Sequence, residues 1–325
     1  MLIEYSINSL LEESSPKMNL KDPTISVVMP VWDRELYLRE AVDSILSQSF
    51  TDFELILVAD GTGPEVSSVL EQYALSDDRV RLYRLPCNMG VSAAKNVGIR
   101  MARGRYMAWM DSDDVAMPER LARQFEYLEA NQEVELCCSD AIKILQDGQE
   151  VRMNCPEKDG VIKAMMWLVH GGAVLTPTAM MRSGFITQKA LYHSSQFPRD
   201  LDHVHYIDMI RNGGRFYCIQ EPLLRYRRHG GNVTSNPAGV DEEKRSVRML
   251  LLPLFFPELT SSEGRAMLAL MNPKIQVTYI EACQGVAAVH KAMQERRSFY
   301  GEDRKVLNSI LSNLIQRLQK GMLGK

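Results

Sequence analysis

The 325-residue chain contains no Gly-x-x-x-x-Gly-Lys-Ser/Thr segment, and no Gly-x-Gly-x-x-Gly follows its first β-like run. A P-loop and the usual dinucleotide fingerprint are therefore excluded. It carries little excess charge: 38 Lys and Arg against 41 Asp and Glu leave a net −3. Such a balance gives no general attraction to nucleic acid. Its six cysteines, Cys87, Cys137, Cys138, Cys155, Cys218 and Cys283, include no Cys-x-x-Cys pair. That absence argues against a zinc or redox motif, and the cysteines read as buried reduced thiols of a cytosolic protein. No apolar window approaches the ~18–20 residues needed to span a bilayer. The longest apolar run near the end, MLLLPLFFP (249–257), is short and contains Pro253. The first residues, MLIEYSINSLLEESSPKMNLKD, have no basic leader and no long apolar core. The expectation is a cytoplasmic protein without a secretory signal.

What is present is a regular alternation. Apolar content of 45% and length are ample for a large buried core in one large or two modest domains. ISVVMP (25–30), ELILVA (54–59), VRLYRL (80–85), YMAWM (106–110) and VELCCS (134–139) are short β-like runs. Helical spacing separates them at 35–49, 64–75, 92–102 and 118–130. Asp33 is placed to cap the first of these helices and Pro64 to open the second. Strand, helix, strand with short links predicts parallel strands joined by right-handed crossovers. After Asp140 the pattern loosens. A hairpin is expected around Asp147-Gly148, a helix at 164–170, a strand at 174–181 and a helix at 200–212 closed by Gly213-Gly214. Short strands are expected at 215–219 and 223–227, and helices dominate from about Pro237.

Ligands of open α/β sheets bind at the carboxyl ends of the strands. Asp60 ends the second predicted strand, and Asp111, Asp113 and Asp114 crowd into WMDSDDVA after the fourth. Like charges this close repel, and a solvated turn does not need them. Oxygen ligands in this pattern suit a hard divalent cation shared with substrate phosphates. On the short string alone, a plain acidic turn ahead of Pro118-Glu119 is an equal alternative.

The ordered motifs go further. ISVVMPVWDRELYLREAVDSILSQSFTDFELILVADG (25–61), NMGVSAAKNVGIRMARGRYMAWMDSDD (88–114), PERLARQFEYLE (118–129) and EPLLRYRRHGGNVT (221–234) resemble family 2 glycosyltransferases of the GT-A type. The resemblance covers about residues 24–235. It implies an α/β fold: a GT-A type open, mostly parallel sheet with helices on both faces, plus a helical C-terminal extension. It divides the chain into an N-terminal extension (1–23), a nucleotide-sugar-binding half (24–140), an acceptor-binding half (141–236) and a helical C-terminal region (237–325).

By the same resemblance, Pro30, Val31, Trp32, Asp33 and Arg34 hold the nucleotide, with Trp32 near the base or packed at the strand end. The family's Asp-Asp-Gly-Ser reads Ala59-Asp60-Gly61-Thr62 here. Asp60 is then the acceptor for the N3–H of uracil or thymine. Asn88 and Lys95 match the family's Asn-x-Gly…Arg-Asn segment, and Lys95 contacts the nucleotide or pairs with the acidic cluster. Asp111-Ser112-Asp113 matches DxD. Asp111 serves the ribose or the metal, Ser112 faces the nucleotide, and Asp113 and Asp114 hold Mn²⁺ or Mg²⁺, with His229 a further metal ligand or a diphosphate contact. Asp202 stands at the position of the family's catalytic base, with Asp200 in reserve, although Leu201 replaces the usual Glu.

The implied activity is metal-dependent, inverting transfer from a nucleoside diphosphate sugar, UDP- or dTDP-linked, to an acceptor hydroxyl in polysaccharide or glycoconjugate synthesis. The acceptor is a carbohydrate, a lipid-linked sugar or a protein, and no nucleic acid is involved. Residues 306–322 repeat apolar positions at helical spacing. Such a helix packs on the catalytic domain, pairs with a second copy of the chain, or lies on an anionic membrane face. Two rival readings stay open. One is a non-catalytic nucleotide-sugar binder or scaffold, motivated by Ala59 and Leu201. The other is a nucleotidyltransferase, for which PVWDREL (30–36) lacks the glycine-rich loop.

Overall fold

In a computed structural model, the chain is described at residues 12–13, 22–33, 35–168, 173–197, 201–230, 240–271, 278–294 and 305–323. Two compact units emerge: residues 1–157 with 174–235, and residues 158–173 with 236–325.

The first unit is built on one mixed sheet. Its strands are β1 (Glu12–Glu13), β2 (Ile25–Val31), β3 (Phe53–Asp60), β4 (Val80–Leu85), β5 (Tyr106–Trp109), β6 (Val115–Ala116), β7 (Leu136–Ile144), β8 (Glu150–Met153), β9 (Met180–Arg182) and β10 (Phe216–Arg227). Their spatial order is β1-β4-β3-β2-β5-β9-β7-β10-β6, with β8 on β7. Strands β4, β3, β2 and β5 run parallel. They are linked by α1 (Glu35–Leu46), α2 (Pro64–Ser76) and α3 (Val91–Met101), as the alternation predicts. Strand β3 is buried along its whole length, which explains why it reads as an unbroken apolar run rather than an alternating one.

Two expectations shift. The strand expected at 174–181 is a short 3₁₀ turn, Thr176–Thr178, followed by β9. Pro177 opens that turn, and its fixed φ and missing N–H disfavour a ladder position. The two strands expected at 215–219 and 223–227 are one strand, β10, with irregular register around Pro222. It runs parallel to β7 and antiparallel to β6. The remaining helices of this unit are α4 (Arg120–Ala130), α6 (Ser183–Gln188) and α7 (Leu201–Arg211).

The second unit is helical: α5 (Asp159–Leu168), α8 (Val240–Phe255), α9 (Ser261–Met271), α10 (Tyr279–Gln294) and α11 (Lys305–Leu323). Thr260 and Thr278 each form a reciprocal box with a glutamate three residues on, Glu263 and Glu281, at the starts of α9 and α10. Leu307, Leu311 and Ile315 of α11 are buried, so that stripe is packed. Among the described residues no helix is long and apolar enough to cross a membrane.

The sheet edge where β2, β3 and β5 begin is locked by a buried carboxylate. Glu54 accepts from Ser26 Oγ (2.6 Å), the Arg103 backbone N–H (2.9 Å) and the side chains of Arg81 (2.9 Å) and Arg103 (2.8 Å). Gly104 sits against this knot, and a Cβ there would lie 2.5 Å from the Ser26 nitrogen. Burial pushes the Glu54 carboxyl up, but its donors together outweigh that and hold it below its ordinary 4.5. A depressed carboxyl stabilises the fold above its unfolded value and loses that contribution as pH falls through the folded one. Glu54→Gln should therefore cost roughly 2–3 kcal/mol at pH 7, read by urea unfolding. The gap to wild type should narrow as the pH is lowered below 4.5.

Candidate active site

The opposite edge, where the parallel strands end, gathers the acidic residues. Asp60 closes β3 and is 4% exposed. Its two carboxylate oxygens accept the backbone N–H groups of Met89 (2.6 Å) and Gly90 (2.9 Å). Burial raises this carboxyl and those two donors only partly offset it. Gly61 has φ +67°, and a Cβ would lie 2.2 Å from the Asn88 nitrogen. Asn88 Oδ1 accepts from Gly90 N–H (3.0 Å). Asp60, Gly61 and Asn88 thus form one tight junction between β3 and the loop before α3. Pro30 is half-buried at the end of β2, followed by exposed Trp32 and Asp33. Asp33 helps line a cavity of about 500 Å³ that also touches Tyr37, Glu65 and His229. Arg34 and Asp200 lie outside the described residues.

The DSDD turn follows β5. Carboxylate oxygens of Asp111, Asp113 and Asp114 lie within 4.8 Å of one another. What holds them there comes from β10, more than a hundred residues on. The short β6 strand pairs with β10 directly after the turn. The Arg227 N–H donates to Asp114 Oδ1 (2.8 Å) and Arg227 Nε donates to the Asp113 carbonyl (3.0 Å). His229 Nε2 is 2.9 Å from Asp113 Oδ2. Arg227 is aligned in turn by Glu40 (2.6 Å) and lies 4.4 Å over the Tyr37 ring, which itself packs on His229. Arg227 therefore braces the acidic turn. Arg225 pairs with Glu150.

Crowding and burial act on these carboxyls. Burial lifts Asp111 to about 7; Lys95 opposes the rise, while Asp113 and Asp202 add to it. Asp114, fully buried, is pushed well above its ordinary range, again by burial first and then by Asp111 and Asp113. Behind them Arg120 is completely buried, with its guanidinium on the Trp109 carbonyl (2.6 Å) and Gln124 (3.2 Å). Burial lowers it to about 10, while Asp114 and Asp111 pull it back up. It supplies an internal positive charge to the cluster.

Asp202 faces the same edge from the start of α7. The nearly buried Lys95 Nζ donates to Asp202 Oδ1 at 2.5 Å and lies 5.1 Å over the Trp109 ring. The partner of Lys95 in the structure is thus Asp202, outside the DSDD cluster. His193 Nδ1 is 3.7 Å from Asp202 Oδ1, and the buried His193 ring stacks on His205 at 4.2 Å. Asn96 fixes the His193 backbone from both sides, at 2.7 and 2.9 Å.

Sequence reasoning missed Tyr37, Glu40, Arg120, His193 and His205. Arg120 lay inside a quoted motif, but its burial had no local signal. The two histidines carry no motif at all.

A hard cation fits the DSDD cluster. Among the described residues, buried Asp114 Oδ2 has no hydrogen-bond partner, although buried polar atoms are almost always satisfied. Three close carboxylates with an imidazole at their rim form an oxygen-rich donor set suited to Mg²⁺ or Mn²⁺.

Comparison with known proteins agrees with this architecture. The family model "Glycosyl transferase family 2" matches residues 26–186. An uncharacterized glycosyltransferase of Methanocaldococcus jannaschii is 31% identical over 207 residues, 63% of this chain and 71% of that protein. One from Rickettsia prowazekii is 26% identical over 242 residues, 70% of this chain and 71% of that protein. Among solved structures, S. aureus TarS in complex with UDP-GlcNAc superposes with a TM-score of 0.61 at 17% identity, over 90% of this chain and 83% of that one.

Raised carboxyls make the metal-free cluster a stability cost. A group whose folded value is raised stabilises only below its unfolded value, and the cost grows as pH rises toward the folded one. With EDTA present, Asp114→Asn should therefore melt higher than wild type, by roughly 2–4 °C for each kcal/mol relieved. The difference should be larger at pH 8 than at pH 5. Scanning calorimetry at the two pH values measures it, and a lower melting temperature for the variant at pH 8 would contradict the electrostatic account.

Proposed function

The chain belongs to glycosyl transferase family 2, enzymes of the GT-A fold that use nucleotide sugars, and from that premise we propose a metal-dependent, inverting transferase. Its donor is a nucleoside diphosphate sugar, UDP- or dTDP-linked, and its acceptor is a hydroxyl of a growing polysaccharide or glycoconjugate. The observation that carries this reading is the meeting at one sheet edge of the DSDD carboxylates, His229 and the Lys95–Asp202 pair.

Asp113 and Asp114, with His229 beside them, are the groups that would hold Mn²⁺ or Mg²⁺. Asp111 and Ser112 face the ribose side, with Pro30, Trp32, Asp33 and Asp60 toward the nucleoside. The ion, when bound, supplies charge to offset the diphosphate. Asp202 is the general base. Its carboxylate takes the proton of the acceptor hydroxyl, the oxygen attacks the anomeric carbon from the side opposite the diphosphate, and the bond to the leaving nucleoside diphosphate breaks. Lys95 keeps that carboxylate oriented through its 2.5 Å contact. In this scheme residues 24–140 bind the donor, 141–236 shape the acceptor site and 237–325 form a helical appendage.

TarS was solved with UDP-GlcNAc, which makes UDP-GlcNAc the first donor to try. A non-catalytic binder is the second reading, favoured by Ala59, by Leu201 and by the occupation of Asp202 by Lys95.

Calorimetric titration of UDP with Mn²⁺ and with EDTA tests the donor site. Binding should require the metal and should be lost in Asp113→Ala; equal binding in EDTA removes the metal from the scheme. Donor hydrolysis or transfer assays then separate the two readings. Asp202→Asn should lose roughly 10²–10⁴-fold in turnover while binding UDP normally. Metal-dependent UDP binding by a wild type that turns over no donor favours the non-catalytic reading.

A further inference from the structure

Four cysteines are buried: Cys137, Cys138, Cys155 and Cys218. Three of them converge although they are separated in sequence. Cys138 on β7 and Cys218 on β10 are register partners across a parallel ladder, so their side chains leave the same face of the sheet. Asp140, two residues beyond Cys138, shares that face. Cys155 follows β8 and is folded back onto them. Its N–H donates to Asp140 Oδ1 (2.9 Å), and its carbonyl accepts from Gln220 Nε2 (3.2 Å). The Cys218 thiol is close enough to those of Cys138 and Cys155 to perturb both. It lies 3.9 Å from Asp140 Oδ1. The ligand atoms of Asp140, Cys155 and Cys218 all fall within 4.8 Å of one another, and every residue of the group is at most 5% exposed.

We infer that Cys138, Cys155, Cys218 and Asp140 form a structural site for one Zn²⁺ ion, separate from the DSDD cluster. Structural zinc takes four ligands in a closed tetrahedron, with sulfur at about 2.3 Å and carboxylate oxygen at about 2.0–2.2 Å. Ligand atoms in such a site are roughly 3.3–3.8 Å apart; Asp140, Cys155 and Cys218 already lie within 4.8 Å of one another, and Cys138, the register partner of Cys218, would complete the set by closing on them. Thiolates select this borderline-soft ion over Mg²⁺ and Mn²⁺, so the two sites sort their metals by chemistry. Binding releases one proton from each thiol to solvent. The charge of three thiolates and a carboxylate on a dication is partly balanced by Arg152. Its Nη2 donates to Asp140 Oδ2 (2.9 Å) and to the Gln220 carbonyl (2.8 Å). A buried carboxylate oriented by an outer partner is the usual surrounding of a metal ligand. The ion would clip β7, β10 and the end of the β8 hairpin together, on the strand that carries Arg227 to the acidic turn.

The test uses the full chain, expressed with zinc and purified without chelator under a phosphine reductant. Elemental analysis should find about one zinc per chain. Exchange for Co²⁺ should give thiolate-to-metal charge-transfer absorption. Zinc should remain in Asp113→Ala and fall roughly tenfold or more in Cys155→Ala. The proposal is overturned if wild type retains no zinc and gives no such absorption with Co²⁺. It is equally overturned if zinc is lost in Asp113→Ala and kept in Cys155→Ala. Should Cys155→Ala fail to fold, Cys155→Ser takes its place: the Co²⁺ absorption should be lost there, and its retention, as exposed Cys87 or Cys283 would give, overturns the proposal.

Discussion

Mutual repulsion among three carboxylates is the constraint around which the first unit is arranged. Asp111, Asp113 and Asp114 crowd into one turn where burial penalises charge, and left alone such a turn would open. It is held shut by the strand that returns from residue 216. The Arg227 N–H on Asp114 and Arg227 Nε on the Asp113 carbonyl come from the end of β10, and His229 on Asp113 from just beyond it. The alignment of β10 depends on its ladder with β7 and on the short β6 pairing. Arg120 adds buried positive charge from the far side. A local stability cost at a ligand site is common where a bound ligand later offsets it.

The second constraint is the Lys95–Asp202 pair. Lys95 lies in the parallel half of the sheet's crossovers, and Asp202 begins a helix of the other half. Their 2.5 Å contact ties these two halves at the edge where chemistry is expected. Breaking a buried ion pair by removing one partner leaves an uncompensated charge, so this contact fixes geometry as well as charge. His193 and His205 pack behind it as neutral, stacked rings, with burial holding both below the ordinary imidazole range.

Much of this was legible in the order of residues. The apolar runs and helical stripes from Ile25 to Ala130 fall on the observed elements within a residue or two at most ends, because a parallel sheet writes its burial directly into each strand. The acidic turn was legible because Asp60 and DSDD end predicted strands. The second half was harder. Pro177 and Pro222 break the simple strand patterns there, so one bulged strand read as two and a 3₁₀ turn read as strand. Arg120, His193 and His205 were invisible for a different reason. Their side chains matter through neighbours supplied by remote segments, and periodicity reports a face, not a neighbour.

The sequence by itself determined the parallel core and the identity of the acidic cluster, because local hydrophobic pattern and strand-end chemistry are properties of contiguous residues, and its ordered motifs carried the resemblance to the family. Only the tertiary structure decided which partner each charged group takes. It put Lys95 on Asp202, committed both oxygens of Asp60 to backbone N–H groups, and brought His229 to Asp113. It also set Cys138 and Cys218 side by side on a parallel ladder and brought Cys155, from beyond β8, against Asp140 and Cys218, although their spacing along the chain shows no motif. Electrostatic and ligand interactions act over a few ångströms of space whatever the separation along the chain, so those pairings are set by strand register and helix placement.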